Sequence, residues 1–565
     1  MTWVLLLIAC YVSALESITY RPLQWQQLNF LHTTDTHGWL AGHLNPTYGA
    51  DWGDYLSFVS HMRNYSDENN MDLIVVDTGD YHDGTGISDI TNPRGRELLP
   101  IMRELDVDLI TLGNHELYVG AITIDTVKQM ADYYGEKFII ANVEIWDEEK
   151  NDYVTFAPRY RRFTTPKNGL NVLALGFMFD FTGNSNISRL TPVEESVQQE
   201  WFFQAMTAAP FPDVILVVTH IPIRDTNEID ALHKAVREYY PDTPIQIFGG
   251  HSHIRDYVVL DDNATALESG RYGETLGFAS IGGFESYDYS FERRYIDFSK
   301  KSFYYHSNKT EDNFMTEQGL RVREQLTNLS NTYNLSDVYG YVPNDYYLAQ
   351  TPYASNNSLL TLVENKILPR LKGTVGRDDK PRMIIVNSGA FRYHLEAGNY
   401  TLDTQFQIAP FDTYWIYFKD LPVRLARIVV PLLNGVPENI HANREKFTRD
   451  LADSNAEGST RMTGKRPKGY VTCDDYGCDG DDVYHSGGKI HPLPNVITSV
   501  QNLDSDLNLV TETDTIDLVS LKFVAPFIQA VLPNTTALTY EEYGGIMLRE
   551  LITEYVVENW GNKVV

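Results

Sequence analysis

At 565 residues the chain is longer than one hydrophobic core usually organises, so two domains are expected. A composition of 43% hydrophobic, 12% aromatic and 22% charged residues is that of a globular protein and excludes wholesale disorder. A formal net charge of −30 excludes a nucleic-acid polymer as the main partner, because phosphate backbones are bound by Lys and Arg that displace counterions. An anionic small molecule would need a locally positive site, which bound cations supply.

Residues 3–12 form a short apolar stretch followed by Ser13-Ala14, which reads as a secretory signal over residues 1–14. The stretch is too short to span a bilayer. No second long apolar run follows, and the segment 558–563 is too polar for a lipid-anchor signal, so no stable membrane anchor is expected. Nine Asn-x-Ser/Thr sequons, at Asn64, Asn186, Asn263, Asn308, Asn328, Asn334, Asn356, Asn399 and Asn534, also point to a secreted glycoprotein. Outside the signal only Cys473 and Cys478 remain, and an even pair in that compartment predicts one disulfide.

From about residue 25 to 300, apolar β-rich runs alternate with polar helical stretches. Leu28–Thr34, Leu73–Val76, Leu109–Leu112, Val214–Thr219 and Pro244–Phe248 read as buried strands. Helical stretches such as Ser57–Arg63 and Glu97–Leu105 would cover the sheet faces. Each strand runs into one of five short motifs: Asp35-Thr36-His37, Gly79-Asp80, Gly113-Asn114-His115-Glu116, His220 and Gly250-His251-Ser252-His253. In open α/β sheets ligands gather at the carboxyl ends of strands, where loops leave the sheet. A helix-like run at Asn313–Asn328 reads as an interdomain connector. A second α/β region begins near residue 341, with a helical stretch at Leu359–Leu371, a strand at Met383–Val386 and a turn at Ser388-Gly389. Segment 441–495 reads as loops or an insertion.

Taken singly, each motif has an equally good structural reading: Asp80 as a helix cap, Asn114-His115 as a turn, His220 as a core histidine. The conjunction is what carries weight, since Asp-x-His and His-x-His each place two side chains near one point if i and i+2 share a face. Two carboxylates, an amide oxygen and imidazoles, with no thiolate, suit two divalent cations of the Zn, Mn, Fe or Co kind. Such a pair orients phosphoryl oxygens, acidifies water and neutralises developing charge, so the chain reads as a two-metal phosphoester hydrolase.

The ordered motifs resemble those of the calcineurin-like metallophosphoesterases, and within them the two-domain 5′-nucleotidases, especially a fungal secretory or vacuolar branch. The resemblance implies an α/β fold: an N-terminal β-sandwich flanked by helices (α/β/β/α) over residues 25–305, a connector at 306–340 acting as hinge, and a smaller α/β substrate domain over 341–565. It implies Asp35, His37 and His253 on one cation, Asn114, His220 and His251 on the other, Asp80 bridging, and His115 as the catalytic histidine. One departure stands out. Family members usually continue Gly-Asn-His-Glu-Phe-Asp, whose Asp partners the histidine, whereas this chain reads His115-Glu116-Leu117-Tyr118. A Tyr hydroxyl brings no charge, so a weakened dyad and an acid activity optimum are expected.

In the second half, Asn387-Ser388-Gly389-Ala390-Phe391-Arg392 resembles the substrate motif Asn-Gly-Gly-Gly-Ile-Arg, which implies substrate contacts by Asn387 and Arg392. Pro410-Phe411 resembles the family's base-stacking Pro-Phe, and Tyr484 is the nearest candidate for a second ring. The expected substrate is therefore a small phosphoester, a nucleoside 5′-monophosphate. Two other readings remain open at this point: a cyclic-nucleotide phosphodiesterase, nucleotide-sugar hydrolase or broad acid phosphatase with the same metals, and a non-catalytic metal- or nucleotide-binding protein, suggested by Tyr118 and the altered glycine motif.

Overall fold

The computed structural model describes residues 19–224, 226–373, 376–435, 480–483, 491–503, 514–532 and 538–561. The expected signal segment, the Cys473/Cys478 pair, Tyr484 and Asn534 lie outside the described residues.

Two sheets form the N-terminal half. The first runs, in spatial order, Ser290–Asp297, Thr275–Gly282, Leu28–Thr33, Asp72–Asp77, Leu109–Ile110. The second runs Arg255–Asp261, Ala264–Ser269, Ile245–Gly249, Val214–His220, Asn171–Met178, Tyr160–Thr164. The strands leading to the motifs pair in parallel, all of them inside their sheets except Leu109–Ile110 at the edge of the first. They are buried on both faces, which is why they read as unbroken apolar runs rather than alternating ones.

The period of two still sorts the side chains into layers. Leu28 and Phe30 point between the sheets, into a cluster with Ile74, Val76, Leu216, Val218, Phe248 and Leu267. The Phe30 and Phe248 rings meet across the sandwich at 5.2 Å. Leu31, Val75, Val217 and Ile247 point outward to the helices, so the order is helix, sheet, sheet, helix. On the first sheet the cover is helix Trp52–Glu68, which starts in a capping box formed by Asp51 and Asp54.

The predicted connector helix is in fact two helices, Glu311–Phe314 and Glu317–Thr332, divided at Thr316, whose hydroxyl caps the second. That second helix packs on Trp52–Glu68. A Cβ on Gly53 would lie 2.2 Å from the Gly319 carbonyl oxygen, and Arg323 pairs with Asp51 at 2.6 Å. The segment is thus bound along the N-terminal half rather than spanning free between domains.

The C-terminal half has its own sheet, in order Val496–Gln501, Arg382–Asn387, Thr515–Leu521, Trp415–Pro422, Glu541–Tyr543. Its core, which includes Ile384, Val386, Trp415, Phe418, Val519 and Ile552, is a separate cluster from those of the N-terminal half. Two cores account for the length of the chain. The halves meet where the strand-end loops of the first sheet face Ser388–Asp412. There the Gly86 N–H donates to Asp403 Oδ1 at 2.7 Å, and the Tyr393 hydroxyl donates to Glu274 at 2.9 Å.

Candidate metal centre and active site

All five motifs converge at the carboxyl ends of the parallel strands, though not by strand alternation. The strand Leu28–Thr33 ends before Asp35, and the side chains at i and i+2 are brought together by left-handed backbone turns. Asp35, His37, Asp80, His251 and His253 have φ of 51°, 45°, 60°, 75° and 62°. Such conformations cost roughly 1–3 kcal/mol each in a non-glycine residue and persist only where the surroundings hold them.

Two buried carboxylates do much of that holding. Glu116 accepts from the backbone N–H groups of Gly113, Asp80 and Tyr81 at 2.7, 3.0 and 2.8 Å. Glu268 accepts from Ser252 N at 2.9 Å and from its hydroxyl at 2.5 Å, fixing the His-Ser-His turn. Gly113 has no room for a side chain, because a Cβ there would lie 2.1 Å from Asp80 Oδ1. Nothing in the sequence signals the role of Glu268, which lies on a different strand.

The side chains form two sets that share Asp80: Asp35, His37, Asp80 and His253, and Asp80, His220 and His251. All are buried. His37 Nε2 faces His253 Nε2 at 3.1 Å, His253 Nε2 lies 3.2 Å from Asp35, and His220 Nε2 lies 3.1 Å from Asp80. The tautomers follow from the far sides of the rings. His37 Nδ1 donates to the His82 carbonyl and His220 Nδ1 to the Thr78 carbonyl, both at 2.7 Å, since a carbonyl can only accept. His37 Nε2 therefore turns a lone pair into the centre, and His220 Nε2 does so once its proton is displaced.

Burial pushes His251 down to about 3 and His253 down to about 4, so both are neutral ligand-ready imidazoles. His220 goes the other way: against burial, Asp80 and then Asp35 raise it to about 10. Asp80 Oδ2, Asn114 Oδ1, His220 Nε2 and His251 Nε2 are buried without a well-directed hydrogen bond. Orphaned acceptors and facing lone pairs at this density are what a divalent cation pair would satisfy, and the donor set fits one.

The expected weak dyad is corrected by the fold. Tyr118 does occupy the place of the family Asp, and its hydroxyl accepts from Asn114 Nδ2 at 2.7 Å, turning the amide oxygen to the centre. The carboxylate partner of His115 is instead Asp83, whose Oδ2 accepts from His115 Nδ1 at 2.6 Å. Against burial, His82 and Arg94 hold Asp83 well below the usual carboxylate range. Asp83 follows Asp80 by one left-handed turn, with φ of 71°. The charge missing at position 118 is restored from a different loop.

Of the residues expected to bind substrate, Arg392 is fully buried and reaches across from the C-terminal half. Its Nη2 donates to His115 Nε2 at 2.9 Å, and its Nε donates to the Asp83 carbonyl at 2.7 Å. Phe411 lies under the Arg392 guanidinium at 5.1 Å and stacks toward the His115 ring at 6.3 Å. Asn387 ends its strand buried, with Oδ1 lacking a hydrogen bond. Arg94, which the sequence did not single out, pairs with Asp83 and reaches the Phe411 loop.

Known proteins are similar to this chain in both sequence and fold. Residues 28–255 match the calcineurin-like phosphoesterase family, and residues 345–529 match the C-terminal domain of NAD nucleotidase. The chain is similar to a solved 5′-nucleotidase of Candida albicans, 37% identical with a TM-score of 0.86, covering 96% of this chain and all of that one. A 5′-nucleotidase precursor of Thermus thermophilus, 15% identical with a TM-score of 0.61 over 94% of this chain and 96% of that one, shares the fold. A protein of Arthroderma benhamiae described as secreted is 34% identical over 95% of this chain and 91% of its own length. The chain is a metal-dependent phosphoester hydrolase and belongs to the two-domain 5′-nucleotidase family of the calcineurin-like phosphoesterases.

Proposed function

We propose that the protein releases phosphate from nucleoside 5′-monophosphates. The observation that carries this reading is Arg392, delivered from the C-terminal half to 2.9 Å from His115 with Phe411 beneath it. A planar guanidinium at that point donates to phosphoryl oxygens, and an aromatic ring beside it offers a stacking face for a base. In this reading Asp35, His37 and His253 would hold one cation and Asn114, His220 and His251 the other, with Asp80 common to both sets; such a pair would supply Lewis acidity and acidify water. With Arg392 turned from His115 Nε2 to the phosphoryl group, whose charge it neutralises, His115, held by Asp83 through Nδ1, can carry a proton at Nε2 and deliver it to the departing ribose oxygen. Asn387, at the strand end, offers its amide to the substrate.

A secretory location is supported by the exposure of sequon asparagines. Among the eight within the described residues, Asn263 is partly buried and the other seven are exposed. The Arthroderma relative is itself described as secreted.

The test is phosphate release from AMP, GMP, CMP, ribose 5-phosphate, p-nitrophenyl phosphate, cyclic AMP and a nucleotide sugar, with Mn, Zn or Co from pH 4 to 8. A kcat/KM preference for the nucleoside monophosphates is the expected result. Turnover without a base preference would leave a broad phosphatase, and turnover confined to cyclic AMP or the nucleotide sugar would replace the substrate class.

A further inference from the structure

We propose that Arg94 is a positioning residue that couples seating of the base at Phe411 to the placement of His115; the proposal rests on the nucleotidase reading of this site. Arg94 belongs to the N-terminal half and is 9% exposed. One nitrogen of its fork, Nη1, donates to Asp83 Oδ1, while Nη2 donates to the Pro410 carbonyl at 2.7 Å and pairs with Asp412 at 2.9 Å. Pro410 and Asp412 are the two neighbours of Phe411. Arg549, from the C-terminal half, grips the same loop, pairing with Asp412 at 2.5 Å and donating to the Pro410 and Phe411 carbonyls at 3.3 Å. The other oxygen of Asp83 holds His115 Nδ1 at 2.6 Å.

One rigid guanidinium thus ties the loop that carries the stacking ring to the carboxylate that sets the histidine. A fork that bridges two anions fixes their separation in a way that a flexible ammonium would not. Restraint of the loop by a stacked base is then passed through Arg94 to Asp83 and His115, so the base contributes to kcat as well as to KM. Ribose 5-phosphate, with the same leaving oxygen and no base, lacks that contribution.

The experiment compares kcat for AMP with kcat for ribose 5-phosphate in the wild type, Arg94→Met, Asp412→Asn and the double variant, each loaded with Mn. Asp412 is half exposed and pairs with Arg549 of its own half as well as with Arg94, so Asp412→Asn remains informative if Arg94→Met folds poorly. The expected result is a fall of about tenfold in the AMP to ribose 5-phosphate kcat ratio in either variant, with no further fall in the double variant. An unchanged ratio, or independent losses that multiply, would overturn the coupling and leave the nucleotidase reading standing. A wild type with equal kcat/KM on AMP and ribose 5-phosphate would remove that reading and the coupling with it.

Discussion

Replacing Asp83 by Asn tests whether its negative charge serves His115. The substitution keeps the volume and an oxygen able to accept from His115 Nδ1, but removes the negative charge 2.6 Å from the ring. It also leaves His82, 3.2 Å away, and Arg94 without their common partner. General acid catalysis by a positioned histidine is worth about 10²–10⁴-fold, and an imidazolium deprived of its carboxylate forfeits most of that. For AMP, whose alkoxide leaving group needs a proton, kcat should fall by roughly that factor while KM moves little. p-Nitrophenolate leaves without help, so the aryl ester should lose much less. The assay is steady-state phosphate release by metal-loaded enzyme, with cation content measured in parallel to show that the centre stays filled. In a His115→Ala background, Asp83→Asn should cost nothing further on AMP, because the two act as one unit. Retention of wild-type kcat on AMP by Asp83→Asn, with His115→Ala inactive, would refute the assignment.

Phe411→Ala should raise KM for AMP by about 5- to 150-fold, from roughly 1–3 kcal/mol of stacking, and leave ribose 5-phosphate nearly untouched; steady-state titration of both substrates reads this. Tyr118→Phe frees the Asn114 amide to turn, so one cation should bind about 10- to 100-fold more weakly, as seen by metal titration, with the other unaffected. In cation-free protein Asp77 should contribute stability that falls with rising pH, opposite in sign to the contributions of the depressed His251 and His253. Burial pushes the Asp77 carboxyl up to about 7, against hydrogen bonds from Thr33 and Gly79. A folded pKa above the unfolded one means that the native state holds the proton more tightly. The stabilisation is therefore complete below pH ~4 and is lost towards pH 7, on the order of 4 kcal/mol in all. Asp77→Asn should remove that contribution, so that stability rises more with pH in the variant than in the wild type in denaturant titrations at several pH values, and an unaltered pH dependence would count against it.

The strands and five motifs were legible because each catalytic loop directly follows a run buried on both faces, and such runs stand out as continuous apolar segments. What the sequence hid were contacts between loops. Asp83 and His115 are 32 positions apart, and Arg94 and Pro410 are 316 apart. Nothing in the local spacing of either pair marks them as neighbours. Position 118 therefore read as a loss, although Asp83, three residues beyond Asp80, makes it good. The left-handed turns at Asp35, His37, His251 and His253 were hidden for a related reason. Strand alternation and two tight turns bring i and i+2 to the same side, and only glycine-rich flanks hint at which is used. Arg392 was visible as a motif residue, but its burial against His115 depends on how the two halves dock.

The central claim is that one buried cluster holds two cations across Asp80. Metal content per chain, measured on protein purified without chelator and then dialysed against Mn, Zn or Co, addresses it most directly. Two equivalents are predicted for the wild type, a lower content for Asp80→Asn, and one equivalent for His251→Ala, with phosphate release from AMP lost in both variants. A wild type that hydrolyses AMP with one equivalent or none, or an Asp80→Asn variant with full content and full activity, would contradict the account.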